Sequence, residues 1–215
     1  MRFQSSLIYI ITTTAAVVLV GCGASKEQNI WEAAATNDTN IIDLLIALGQ
    51  NVNAKDGGIG TPMHHAAIEG HEGLIKYLIE KGAKINETNS IGYTPLHYAA
   101  QGGNNGAVEL LIGNGAKLDL RDSKMDGPLN ENAVGGNTPL MHAVYGYKKY
   151  TVELLLKSGA EVNLLYDMGF TAFDIINLKA EAAKKEEQQK LLLEIADLLR
   201  KHGAKTGEEL KAEGK

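Results

Sequence analysis

The sequence predicts an all-α solenoid of about five helix-turn-helix repeats joined by β-turn or hairpin loops. Three ladders of residues in one register predict it. The first begins at a threonine: Thr61-Pro62-Met63-His64, Thr94-Pro95-Leu96-His97, Thr138-Pro139-Leu140-Met141 and Thr171-Ala172-Phe173-Asp174. These threonines lie 33, 44 and 33 residues apart, the middle interval being one period with an 11-residue insertion. The second ladder is Gly49, Gly82, Gly115, Gly159 and Gly203. The third is Asn53, Asn86, Asp119 and Asn163, each four residues beyond a glycine.

Each unit follows from local chemistry. Thr is a good N-cap because its hydroxyl satisfies a first-turn N–H, and Pro after it has a φ already suited to a helix start. Ala66-Ala67 and Ala99-Ala100 are small enough for neighbouring helices to approach closely. Gly70 and Gly103 end the inner helices, and the glycine ladder ends the outer ones. Leu74, Ile75, Leu78 and Ile79 recur at helical spacing, as do Ile41, Ile42, Leu44, Leu45 and Leu48. Helices this short are marginal alone, so the stack must supply the stability.

The units run 28–60, 61–93, 94–137, 138–170 and 171–205. The first lacks Thr-Pro but keeps Ala33-Ala34 and Gly49, and Asn37 stands in for Gly70, as suits an N-terminal cap. The third carries the insertion, about Ser123 to Gly135. Its Gly127-Pro128, Asn130, Asn132 and Gly135-Gly136 predict a loop. In the fourth, Tyr147 takes the turn-glycine position and Gly146 comes one residue early, so a reshaped turn is expected. The fifth is 11 residues longer between Thr171 and Gly203, with Glu181/Lys185 and Glu186/Lys190 at helical i,i+4 spacing. The polar tail 206–215 is expected to fray.

This pattern resembles the ankyrin repeat, a β-turn plus two antiparallel helices, over Gln28 to about Lys205. The resemblance implies that His64 and His97, at the Thr-Pro-x-His position, hydrogen-bond neighbouring turns. It also implies non-catalytic binding of a partner protein on a concave face of turn tips and inner-helix ends. Carried over by position, that face comprises Ile68, Glu69, Ser90, Ile91, Tyr93, Gln101, Asn137, Tyr145, Asp167, Met168 and Phe170. Tyr145, Tyr147, Tyr150, Tyr166 and Phe170 gather in and around the fourth repeat. Tyrosine suits interfaces by burying large area with few rotors.

The N-terminus reads differently. Arg2 is the only charge before Lys26, and Leu7 to Val20 is apolar except for Tyr9 and Thr12 to Thr14. That run is the length of a signal-peptide h-region, shorter than the ~20 residues a spanning helix needs. It ends in Leu19-Val20-Gly21-Cys22, which resembles a bacterial lipoprotein signal. The resemblance implies cleavage after residues 1–21, lipidation of Cys22, the only cysteine, and a tether of residues 22–27. Gly23 after the cysteine favours the periplasmic face of the outer membrane. The alternative is a cytoplasmic or secreted ankyrin-repeat regulator without a lipid anchor.

A net charge of −5 argues against nucleic acid and against electrostatic adsorption to anionic lipid, leaving the lipid anchor as the only membrane attachment. One cysteine permits no disulfide framework. Six histidines fall on repeat positions without Cys or carboxylate at zinc-ligand spacing. Asp122 to Gly127 has the outline of a calcium loop, but Lys124 and Ala133 stand where oxygen ligands are needed. No cofactor, metal or catalytic constellation is expected.

Overall fold

The computed structural model describes residues 29–123, 136–166 and 169–214. Among them are eleven helices and no strand. They are α1 Ile30–Ala35, α2 Thr39–Ala47, α3 Pro62–Glu69, α4 Glu72–Glu80, α5 Pro95–Gly102 and α6 Asn105–Gly113. Then come α7 Pro139–Tyr145, α8 Lys149–Lys157, α9 Ala172–Ala182, α10 Glu186–Lys201 and α11 Gly207–Ala212. The odd-numbered helices α1 to α9 stack into an inner layer. The outer layer stacks α4, α6, α8 and α10.

The inner layer is close-packed because one column is alanine: Ala33, Ala66, Ala99 and Ala143 are at most 3 % exposed. The outer helices turn Leu74, Ile75 and Leu78, Val108 and Leu111, Val152 and Leu155, and Ile195 and Leu199 into the same core. Each such side chain contributes roughly 1.5–3 kcal/mol on leaving water.

Polar bonds then lock the register. In α3 the Nδ1 of His64 accepts from the Thr61 amide at 3.1 Å and the Thr61 hydroxyl at 2.8 Å. Its Nε2 donates to the Tyr93 carbonyl of the next turn at 3.0 Å. His97 repeats this with Thr94, at 3.0 and 2.8 Å, and with the Asn137 carbonyl at 3.2 Å. Both imidazoles are therefore used in the neutral form with the proton on Nε2. Burial pushes each pKa down to about 4.

The asparagine ladder acts as a series of clamps. Asn53 accepts from the Lys84 amide at 2.7 Å and donates to the Gly82 carbonyl at 3.2 Å. Asn86 binds Lys117 and Gly115, and Asn163 binds Lys205 and Gly203, in the same way. Asp119 keeps only the accepting half, from the Glu161 amide at 3.0 Å. Each clamp ties one repeat to the outer-helix terminus of the next.

Four expectations need correction. The turn after α7 is not reshaped. Tyr147 adopts φ 58°, matching Asn37 at 59°, Gly70 at 71° and Gly103 at 76°. The same closing bond follows each, with Lys148 donating to the Ala143 carbonyl as Asn104 does to that of Ala99. Glu181 and Lys185 do not share a helix, because α9 ends at Ala182 and α10 starts at Glu186. The tail does not fray: Thr206 and Glu209 form a reciprocal capping box that starts α11, and Leu210 is 4 % exposed. Finally, Asn137 is 6 % exposed and belongs to the stack, not to its surface.

Helix α11 is in effect the inner helix of a sixth, shortened unit. The Thr171 hydroxyl donates to the Lys205 carbonyl at 2.7 Å, and Asp174, in the histidine position, accepts from the Gly207 amide at 2.8 Å. Gly207 replaces proline because a Cβ there would collide with the Gly169 carbonyl.

Candidate protein-binding face

The turn tips and the inner-helix ends lie along one face, the concave one in the ankyrin resemblance. Each tip is closed by one recurrent side-chain pair. His65 Nε2 contacts Asp56 at 2.8 Å, Tyr98 hydroxyl contacts Asn89 at 3.0 Å, and His142 Nε2 contacts Asp122 at 2.9 Å. In the fifth unit Ile175 and Tyr166 take these positions, and both are buried.

The Asp122 pair carries the base of the insertion. The Asp122 amide donates to the Asn137 carbonyl and the Gly136 amide to the Asp122 carbonyl, and the Asp122 carboxylate accepts from the Asn137 amide at 2.7 Å and its side-chain nitrogen at 3.2 Å. Burial alone would raise the Asp122 pKa. The bonds from His142 and Asn137 outweigh it and hold the group below the ordinary carboxylate value. Ser123 donates to the Ile91 carbonyl at 2.9 Å, joining this tip to the preceding one. The rest of the insertion, 124–135, lies outside the described residues, as do the calcium-loop positions Lys124 and Ala133.

From this base an aromatic strip runs along the face. Tyr93 packs against Tyr98 at 5.0 Å between ring centres and edge-on against His142 at 4.7 Å. His142 meets Tyr145 at 6.4 Å, and Tyr166 lies near enough to Tyr145 to act on its phenol. Tyr166 stacks on Phe170 at 5.8 Å, where a groove of about 400 Å³ opens beside Thr206, Gly207 and Lys211. Burial, then the nearby Asp122 charge, pushes the Tyr93 phenol up to about 12. Burial and Tyr166 raise Tyr145 as well. Both stay neutral at ordinary pH and present apolar faces with a polar edge.

Of the residues expected on this face, Tyr93, Tyr145 and Phe170 join the strip half-buried. Ile68 and Ile91 are also half-buried, and Glu69, Ser90 and Gln101 are exposed. Asp167, Met168 and the lipidation candidate Cys22, with residues 1–28, lie outside the described residues. Tyr150 is 57 % exposed on the outer helix α8, away from the strip. Sequence reasoning missed Tyr98, the role of His142, and Lys179. The 33-residue register that nominates Glu69 continues through Gly102 and Gly146 to Lys179, so the ladder itself carried that signal.

Fold and face define a stacked helical-repeat module built for protein contacts. The family profile for ankyrin repeats in three copies matches residues 30–122, and that for a single ankyrin repeat matches 135–166. The chain belongs to the ankyrin repeat family, which is generally a non-catalytic protein–protein interaction module. No curated protein matches the chain. Among the described residues, no group of three or more His, Cys, Asp or Glu is disposed to hold a metal, and no helix is long and apolar enough to cross a membrane.

Proposed function

We propose that the chain binds one protein partner through the turn-tip face, with Tyr93, Tyr145 and Phe170 as anchors. The observation that carries this reading is the continuity of the strip. Three repeats contribute to it: Tyr93, Tyr98, Tyr145 and Phe170 are half-buried and follow one another along the buried rings of His142 and Tyr166, an aromatic composition that suits an interface core. Glu69, Ser90 and Gln101 supply a polar rim. The half-buried Ile68 and Ile91 complete the surface.

The second part of the proposal is a lipid tether. The apolar run ending at the sole thiol supports diacylglycerol attachment at Cys22 after removal of residues 1–21. The protein is then a membrane-anchored bacterial lipoprotein on the periplasmic face of the outer membrane. At up to ~3.6 Å per residue, 22–27 hold the stack within about 20 Å of the bilayer.

Capture from membranes of the native cell tests the first part. A Tyr145→Ala chain with native helicity should lose its partner by more than ~2 kcal/mol, and equal capture by both chains rejects the face. For the tether, Cys22→Ser should accumulate precursor. Normal maturation with unchanged detergent partitioning rejects it.

A further inference from the structure

A cation is held at one edge of the strip. Lys179 of α9 is half-buried, with Nζ 5.2 Å from the centre of the Tyr145 ring and 4.9 Å from that of Tyr147. It donates to the Tyr147 hydroxyl at 3.3 Å. Lys55, Lys81, Lys149, Lys157, Lys205 and Arg200 each meet a carboxylate within 3.0 Å. Lys179 has no carboxylate partner among the described residues. Withdrawing an ammonium from water is costly unless an anion or several acceptors replace the water. Two ring faces and one phenol replace only part of it. An ammonium has three donors, so donors remain for a ligand.

The backbone points the same way. Tyr147 occupies the left-handed slot that the equivalent turns fill with glycine or asparagine. A bulky residue is disfavoured there and persists where something else depends on it. The Tyr147 ring packs partly on the core, and its face and hydroxyl meet Lys179.

We propose that Lys179, steadied by Tyr145 and Tyr147, is a carboxylate-recognition point. The partner then presents an acidic peptide: an Asp or Glu beside an apolar side chain that lies on Tyr145 and Phe170. A cationic segment would reach the same rings only by displacing Lys179 against like charge. The chain as a whole carries −5, so general attraction cannot supply a preference for acidic partners. The preference must be local. This inference rests on the reading of the turn-tip face as the binding surface.

The test selects random linear peptides displayed on phage against the full chain and its variants, each checked for native melting. Wild type should enrich Asp or Glu next to an apolar residue. Lys179→Gln should lose that enrichment and weaken a selected acidic peptide about tenfold or more. Lys179→Glu should enrich Lys or Arg instead. Tyr147→Gly, which keeps the lysine but removes one ring, should weaken the same peptide. Acidic enrichment that survives Lys179→Gln overturns the inference, as does recovery of no acidic class on wild type. Selected peptides that ignore Tyr145→Ala reject the face itself. Peptides that need Tyr145 but show no acidic preference reject only the carboxylate point.

Discussion

Between α3 and α5 the stack repeats one solution: Thr-Pro opens the helix, a histidine ties it to the next turn, and glycine closes it. Between α7 and α9 three of those choices change. Met141 fills the histidine position, Asp174 replaces its successor, and Tyr147 replaces the closing glycine, yet the turn after α7 keeps the same backbone path. Packing therefore does not require the common choices everywhere. The departures lie beside the half-buried rings of Tyr145 and Phe170 and the cation of Lys179. The regular half is written by the fold, and the irregular half carries side chains that the fold alone does not demand.

If the halves share one packing rule, Ala99→Asp and Ala143→Asp should be equally damaging. Both alanines are fully buried between helices, and an unpaired carboxylate there costs several kcal/mol. We expect about 3–5 kcal/mol in urea unfolding for each, against about ±0.5 kcal/mol for the exposed Glu109→Ala. A much smaller loss at Ala143 would show that the α7–α9 seam is looser, and the shared rule would fail.

Acid should separate the halves instead. His64 and His97 have folded pKa values of about 4 against 6.5 for the free side chain, so the unfolded chain binds more protons between those values. Stability is therefore complete above pH 6.5, falls as pH drops towards 4, and levels off below. Each histidine accounts for on the order of 3 kcal/mol across that window. The Asp122 carboxyl, held below its ordinary value, contributes stability that is lost only at still lower pH, as pH falls through its folded pKa. Hydrogen exchange at pH 5 should show α3 and α5 losing protection before α9, and His97→Gln should flatten the urea midpoint between pH 6.5 and 4. First loss in α9 would contradict the assignment.

How much of this was legible follows from what recurs. The repeat count, the Thr and His roles and the glycine turns were readable because each is a local requirement met several times in register. Asn53, Asn86 and Asn163 stood out as a ladder, but their clamps join residues about one repeat apart, and spacing does not name the acceptor. Helix α11 was missed although Thr206-Gly207-Glu208-Glu209 is a readable capping box; the polar composition hid one buried leucine. On the candidate face, Tyr93, Tyr145 and Phe170 could be nominated by position. Asn137 could not be told from an exposed residue, because its burial comes from Asp122 across the insertion. Lys179 belongs to a cluster that exists only once Tyr147 takes a backbone conformation that sequence argues against.

That conformation yields the smallest and most diagnostic difference between the halves. Gly103 and Tyr147 occupy the same turn position at φ 76° and 58°. At Gly103 an added Cβ meets only the flexible side chain of Lys148, so Gly103→Ala reports chiefly the left-handed backbone cost, about 1 kcal/mol. At Tyr147 that cost is already present. Tyr147→Gly relieves roughly 1–2 kcal/mol of it. It also forfeits the half-buried ring and gives the unfolded chain more freedom, together of similar size. The net change should fall within about 0.5 kcal/mol of zero, by the cancellation of those two contributions. Urea unfolding of the two variants side by side reads the contrast. If Tyr147→Gly destabilises as much as Gly103→Ala, the tyrosine is a packing residue whose ring outweighs its strain. If the stability is unchanged while acidic-peptide binding weakens, the strained turn serves recognition, and the irregular half is where this stack differs in purpose from its regular one.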